Sequence, residues 1–121
     1  MYNYTFRHDI NLLDIAWQGS FSPDEVRSYA RGLLARFEEE GFKPGYLLRM
    51  DMSESATQPK EALPIFREEF RDFPKARRIA IITPSAITRL QVKRIMTQPY
   101  LRIFPSADEG LAWLLERIYV A

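Results

Sequence analysis

The sequence contains no cysteine and only one histidine, His8. Without thiols there can be no disulfide, thiolate zinc site or cysteine nucleophile, and a single histidine limits other metal chemistry. We therefore expect neither a metal ion nor a cofactor. An excess of one charge is also missing, because 17 Lys and Arg residues are balanced by 16 Asp and Glu residues. Without a broad basic field, nucleic acid is not an expected partner.

Long apolar runs are absent as well. No run approaches the roughly 18 residues of a membrane span, and residues 1–9, MYNYTFRHD, lack the basic and apolar parts of a signal peptide. We expect a cytoplasmic protein without a stable membrane anchor. The 121 residues have the length of one domain and suffice for one hydrophobic core. We interpret residues 1–121 as a single domain.

Strand and helix patterns alternate along the chain. Five segments have the periodicity or the apolar run of a strand: residues 2–8, 11–19, 46–52, 78–83 and 100–104. In the second strand, alternation places Asp14 on one face and Leu13, Ile15 and Trp17 on the likelier core face. The unbroken apolar runs of the third and fourth strands are typical of a parallel sheet that is covered on both sides.

Capping sequences mark the start of the first and last predicted helices. Ser22 and Glu25 match a capping box, and Ser106 and Glu109 repeat it. The first helix is predicted to end at Gly41, because glycine commonly terminates helices. The buried face of the last helix is predicted to consist of Leu111, Leu114, Leu115 and Ile118.

The second and third helices complete an α/β pattern. A stripe of Leu63, Phe66, Phe70 and Phe73 predicts the second helix, and Pro64 places its start near Leu63, which leaves residues 53–62 mostly as an exposed loop. The third helix is predicted at residues 85–97, with Ile87, Leu90 and Ile95 facing the core. The element order β-β-α-β-α-β-α-β-α predicts an α/β domain with a mixed four- to five-stranded sheet and helices packed on it.

This order, the segment RRIAIIT and the ending RIFPSADEGLAWL resemble the SpoIIAA-like branch of the STAS and Sec14-type domains. The most specific piece is Phe104, a short acidic capped turn and then residues 110–114, GLAWL. It is similar to that branch's closing pattern of an aromatic residue, acidic residues and Ala-Leu-Ala-Trp-Leu. The resemblance spans nearly the whole chain and implies a STAS-type fold with a regulatory or binding role.

The resemblance does not extend to a phosphorylated serine. In anti-sigma-factor antagonists, which share the broader fold, the third strand ends in Asp-Leu-Ser, and an Asp-Ser-Ser-Gly turn follows whose serine a partner kinase phosphorylates. Asp51, Met52 and Ser53 resemble the first run. The second run is missing, since residues 54–59 read ESATQP. This departure argues against phosphoswitching by that mechanism.

Polar side chains follow the predicted parallel strands at their carboxyl ends. They are Asp51, Ser53, Ser55 and Thr57 after the third strand, Thr83 and Ser85 after the fourth, and Ser106 after the fifth. Open α/β sheets usually hold ligands at this edge, and helix N-termini there favour an anionic group. We expect a common rim that binds a ligand or partner. The alternative is that these hydroxyls only cap helices and turns.

A basic face is predicted on the third helix. Arg89, Lys93 and Arg94 compose it, with Arg77 and Arg78 nearby. It could bind an acidic protein surface or an anionic lipid headgroup, or could simply be solvated. Internal pairing with acidic residues of the second helix is a further alternative; these are Glu61, Glu68, Glu69 and Asp72.

Aromatic residues make up 13% of the chain, more than a domain of this size needs. Most should be core, and a surplus could line a dimer face or an apolar pocket between the sheet and the second and third helices, as the Sec14-type resemblance implies. No recognisable nucleophile and base are present. Only the clustering of Asp51, Ser53 and Glu54 suggests an enzyme.

Two functional hypotheses follow. The leading one is a non-enzymatic cytoplasmic STAS-like module that binds a protein partner or small ligand at the carboxyl edge of its sheet, through Asp51, Ser53, Ser55, Thr57, Thr83, Ser85, Arg89 and Lys93. The alternative is a Sec14-like carrier of a small apolar or lipid-like molecule. A homodimer is compatible with either hypothesis.

Overall fold

The computed structural model describes residues 1–116 and contains, in that part of the chain, the predicted order of elements. The strands are β1 (Tyr2–Arg7), β2 (Leu12–Gly19), β3 (Leu47–Ser55), β4 (Arg78–Ile82) and β5 (Leu101–Phe104). The helices are α1 (Pro23–Glu39), α2 (Ala62–Phe70), α3 (Ala86–Ile95) and α4 (Ala107–Leu114). Ile118, which was predicted on the buried face of the last helix, lies outside the described residues.

The strands form one mixed sheet in the order β1-β2-β3-β4-β5. β1 pairs antiparallel with β2, and every later pair is parallel. Asp51 lies opposite Ile82, and Ile82 lies opposite Phe104. β3, β4 and β5 therefore run side by side in the same direction, as predicted, with β3 extending four residues beyond the ends of β4 and β5.

Helices cover both faces of this sheet. On one face, α1, α2 and α3 pack on a core that includes the predicted face of β2, Leu13, Ile15 and Trp17. On the other face, α4 packs through Leu114 on a smaller cluster that includes Leu12 and Ile82. The fold is thus a three-layer α/β domain, and the unbroken apolar runs are explained by burial on both sides.

The start of α1 follows its sequence closely. The Glu25 amide donates to the Ser22 hydroxyl at 3.2 Å, and the Ser22 amide donates back to the Glu25 carboxylate at 3.2 Å. Hydrogen bonding of the Glu25 carboxylate to the Ser22 amide and, second, to the Ser22 side chain lowers the pKa of Glu25, because it stabilises the charged form. Gly41 follows the helix at a φ of 70°, a conformation that favours glycine.

The expected long loop after β3 is wrong in its first residues. β3 continues to Ser55 because β2 is long enough to pair with it: Gln18 lies opposite Glu54 and Gly19 opposite Ser55, beyond a register shift. Ser53 and Ser55 therefore belong to a strand, and the connection to α2 is shortened to residues 56–61.

Two predictions about buried helix faces are wrong in part. Ile87 and Leu90 of α3 are each 60% exposed, Ile95 is half-buried, and the buried residues of that helix are Thr88 and Val92. Ser85 caps the helix by accepting from the Thr88 amide. On the last helix, Leu115 is 44% exposed because α4 ends at Leu114.

Candidate functional site

A cavity of about 520 Å³ lies between the sheet, α2 and α3. Its floor is formed by apolar side chains of β2, β3 and β4, its walls by the facing sides of the two helices. An apolar pocket at this place, one of the two alternatives considered for the aromatic surplus, is therefore present. Its volume is in the range of sites for small organic ligands, roughly 300–1,000 Å³.

Aromatic contacts hold α2 at one side of the cavity. The Phe66 ring stacks on Trp17 with a centroid distance of 5.0 Å, and the Phe70 ring meets Tyr29 at 5.6 Å. Across the cavity, α3 presents Val92 and Ile95, which are too short to fill the space. Aromatic contacts thus hold α2 against α1 and β2, and the cavity separates α2 from α3.

Unpaired polar atoms are concentrated at this cavity. Among residues 1–116, the buried side-chain atoms without a hydrogen-bond partner are Trp17 Nε1, Tyr29 Oη and Gln98 Oε1. All three residues line the cavity. Burial raises the pKa of Tyr29, so its hydroxyl stays protonated as a donor. The Trp17 side chain interacts with the Tyr29 hydroxyl and partly offsets that rise. Because the three atoms have almost no accessible surface, they belong to the cavity wall and do not face its space.

Gln58 fixes the connection between β3 and α2 at one end of the cavity. Its side-chain oxygen accepts from the Phe21 amide at 2.9 Å, and its amide nitrogen donates to the Gly19 and Ala56 carbonyls at 3.3 and 3.1 Å. Gln91 of α3 forms reciprocal bonds with its backbone. Sequence reasoning missed Gln58, because no local pattern distinguishes a buried loop glutamine from an exposed one.

The predicted rim residues Asp51, Ser53 and Ser55 form hydrogen bonds with one another or with the nearby backbone. The Ser53 amide and hydroxyl both donate to Oδ1 of Asp51, and the Ser55 hydroxyl donates to the Met52 carbonyl at 3.0 Å. Thr57 is exposed in the following connection. Asp51 and Ser53, two members of the enzyme-like cluster, thus meet, but neither they nor Glu54 line the cavity.

The rim residues after β4 form turns and caps. Thr83 is fully buried, and its hydroxyl accepts from the Ser85 amide at 3.1 Å. The Ser85 hydroxyl accepts from the Thr88 amide at 3.2 Å. These bonds match the capping alternative. Binding at the rim stays a prediction for these residues.

The basic residues of α3 lie beside a second hollow of about 380 Å³. Arg89 and Lys93 line it together with Arg102 of β5. Within the described residues, no ion pair joins this basic face to α2; Glu69 instead approaches Arg31 of α1 at 3.9 Å. The basic face of α3 is therefore open to solvent.

None of the eight site residues predicted from the sequence lines the main cavity.

The closing motif has a structural role on the opposite face. A Cβ on Gly110 would lie 2.4 Å from Ile82 Cδ1, so α4 can approach the sheet closely because it has glycine there. Arg78, expected near the basic face of α3, instead donates to the Trp113 carbonyl at 2.7 Å and lies over the Trp113 ring. The Phe104 ring contacts that ring at 5.6 Å.

An ion pair lies beneath α4 as well. Arg49 contacts both carboxylate oxygens of Asp14, at 2.7 and 3.0 Å, and also donates to the Ala107 carbonyl at 3.3 Å. The hydrogen bonds to Asp14 raise the pKa of Arg49. The pair connects β2, β3 and α4 and lies on the sheet face away from the cavity. Its geometry indicates a structural role.

Other site chemistries find no support in residues 1–116. No group of three potential metal ligands lies close enough together to hold an ion. No helix in that part of the chain is long and apolar enough to cross a membrane. His8 lies at the end of β1, where its Nε2 contacts the Glu40 carboxylate at 2.8 Å.

Comparison with known proteins places the architecture. No family model and no curated protein sequence matches the chain. A crystal structure of an uncharacterised DUF3478-family protein with a SpoIIAA-like fold, from Shewanella loihica PV-4, aligns over 94% of this chain and 92% of its own, with a TM-score of 0.70 and 14% identity.

Two anti-sigma factor antagonists are similar in structure too. One, from Mycobacterium paratuberculosis, aligns over 96% of both chains with a TM-score of 0.62 and 11% identity. The other, SpoIIAA in its unphosphorylated form, aligns over 94% of this chain and 97% of its own with a TM-score of 0.60 and 11% identity. The protein therefore has the SpoIIAA-like fold, as the resemblance implied.

Proposed function

We propose that the protein is a non-enzymatic binding module that holds a small, largely apolar molecule in the cavity between the sheet, α2 and α3. The carrying observation is the cavity itself: about 520 Å³ of mainly apolar space whose lining also includes the amide side chains of Gln58, Gln91 and Gln98. Such a combination of apolar walls with a few polar groups is typical of ligand sites.

The volume limits the size of the ligand. If each non-hydrogen atom occupies about 30 Å³, the share of one molecule in liquid water, the space holds on the order of 17 atoms. At about −0.3 kcal/mol per atom, such a ligand would bind with about −5 kcal/mol, or a Kd on the order of 0.2 mM. Titrations should therefore extend to millimolar concentrations.

A matched pair of α3 variants tests this proposal. Val92 faces the cavity, whereas Ile87 is 60% exposed on the outside of the same helix. We expect wild type and Ile87→Trp to bind the neutral fluorescent probe N-phenyl-1-naphthylamine, and Val92→Trp to lose that binding while circular dichroism shows an intact fold. Equal probe binding by both variants would refute the cavity as the site.

A protein partner at the rim and along α3 is the second candidate. Ile87 and Leu90 are exposed apolar side chains beside Arg89, Lys93 and Arg94, a combination suited to an acidic surface with apolar residues. Two proteins with this fold are anti-sigma factor antagonists, and this supports a regulatory partner for the present chain.

Binding of a protein partner does not require a phosphorylated serine. The start of α2, at Glu61 and Ala62, has no hydroxyl residue that could be phosphorylated there. We expect Leu90→Glu to reduce capture of a partner in pull-downs, with Leu34→Glu, on α1, as the control. Alanine variants of Ser53 and Ser55 extend the test to the rim. A partner retained by Leu90→Glu and by both serine variants would contradict this surface.

A further inference from the structure

The charged residues that line the cavity all have the same sign. They are Arg67, Arg71 and Lys75, and within the described residues no carboxylate lines it. Each of the three is exposed, so together they form a cationic mouth to an apolar interior. The acidic residues of the same segment, Glu68, Glu69 and Asp72, are not among the lining residues.

This separation follows from helix geometry. Residues four positions apart lie on the same side of a helix, so Arg67, in the last turn of α2, and Arg71, its C-cap residue, share the side that faces the cavity, while Glu68 lies on the next one. The side of α2 that faces the cavity therefore sets the sign of the charge there.

The three cations of the cationic mouth form only weak hydrogen bonds and ion pairs with other groups of the protein. Arg67 reaches the Arg94 carbonyl at 3.5 Å, the long limit of a hydrogen bond. Arg71 approaches Asp72 at 3.8 Å, with both side chains largely exposed, and such pairs contribute little. The Lys75 side chain is in no ion pair within residues 1–116. All three cations are available to a ligand.

We infer that the ligand is an amphipathic acid, with an apolar chain or ring system in the cavity and a carboxylate or similar anion at Arg67, Arg71 and Lys75. This inference rests on the proposed function of the cavity. Guanidinium groups bind carboxylates through paired hydrogen bonds, and lysine adds a compact positive charge. A neutral molecule of the same shape would leave these charges without a counterpart.

Isothermal titration calorimetry with three probes of one chain length tests the charge preference. The probes are decanoate, 1-decanol and decyltrimethylammonium, in 50 mM salt. We expect decanoate to bind at least tenfold more tightly than decanol and decyltrimethylammonium to bind more weakly than either. In 500 mM salt the advantage of decanoate should shrink, because salt screens exposed charges.

Two triple variants of equal net charge locate the effect. Arg67→Gln, Arg71→Gln and Lys75→Gln together should reduce the preference for decanoate over decanol to about twofold or less. Arg7→Gln, Arg27→Gln and Lys43→Gln, whose residues do not line the cavity, should preserve it. A role of the mouth in helix stability alone would change unfolding but leave the preference intact.

The possible results separate this inference from the proposed function. If decanoate and decanol bind equally well to wild type, the cavity takes ligands but the inference is wrong. If the mouth variant keeps the full preference for decanoate, the inference is also wrong. If none of the probes binds, the proposed function fails, and the inference fails with it.

Discussion

Enlarging a side chain at the cavity wall should stabilise this protein, although enlargement in a packed core normally destabilises. Ala76 is buried, lies just before β4 and lines the cavity. Ala76→Leu adds three carbon atoms that can extend into about 520 Å³ of mainly apolar space. The sign of the stability change therefore reports whether that space exists in solution.

The magnitude follows from apolar burial. Each buried methylene contributes about 0.8 kcal/mol, so three carbons could contribute about 2.4 kcal/mol if fully buried. The cavity is partly open, and ordering a leucine side chain costs about 0.5–1 kcal/mol. We expect a net stabilisation of about 1–2 kcal/mol, or a rise in Tm of about 3–5 °C for each kcal/mol in a chain of this length.

Urea denaturation followed by circular dichroism measures the change, and Ala80→Leu is the matched control. Ala80 is fully buried on the face of the sheet that α4 covers. A Cβ atom added to Gly110 of α4 would lie only 3.3 Å from the Cβ of Ala80. Overpacking there should cost about 1–3 kcal/mol. The reasoning is refuted if Ala76→Leu destabilises the protein as much as Ala80→Leu does.

Three further predictions concern the elements around the cavity. Gln58→Ala should cost about 2–4 kcal/mol in urea unfolding, because it removes three hydrogen bonds and leaves the buried amide of Phe21 without its acceptor; a cost below about 0.5 kcal/mol would contradict this role. Arg49→Met should cost about 1–2 kcal/mol by leaving Asp14 unpaired, and a double-mutant cycle with Asp14→Leu should show coupling, whereas strict additivity would argue against the pair. Ser22→Ala should raise the pKa of Glu25 part of the way towards its ordinary range in an NMR titration, because it removes the side-chain hydrogen bond and keeps the backbone donor. Folding lowers the pKa of Glu25, so the stability that its carboxylate provides is present above the unfolded pKa and is lost as pH falls through the folded pKa. Ser22→Ala should therefore lose less stability than wild type between these two pH values. Equal losses in the two proteins would refute the coupling.

The element order could be predicted from the sequence because each element carries its own local pattern. The capping box at Ser22 and Glu25 depends on residues three positions apart, and the structure has both of its hydrogen bonds. The burial of the third and fourth strands on both faces could be read from their apolar runs. These features need only short-range information, which one sequence contains.

Properties set by contacts between distant segments could not be predicted in the same way. The length of β3 depends on its pairing with the end of β2, where Gly19 lies opposite Ser55. On α3, Gln91 bonds to the backbone of Gln58, 33 positions away, and Ile87 is exposed although its type suggests burial. Hydrophobicity alone predicts neither result.

The candidate site shows the same division. The aromatic surplus together with the Sec14-type resemblance suggested the pocket as one alternative, but nothing suggested the charges at its opening. Arg67 lies in α2 and Arg71 is its C-cap residue, and only the packing of α2 against Trp17 and Tyr29 shows which side of that helix faces the cavity. From the sequence alone, these arginines are indistinguishable from ordinary solvated surface charges.

The residues that identify the fold and the residues proposed to bind a ligand lie on opposite faces of the sheet. Phe104, Gly110 and Trp113 pack α4 against one face, so their resemblance to a known closing pattern reports architecture. The cavity lies on the other face, with walls supplied by α2 and α3. Substitutions there can change what is bound without disturbing α4, because the two clusters are separated by the sheet. A shared fold is therefore compatible with a ligand that differs from one protein to the next, and function must be argued from the cavity itself.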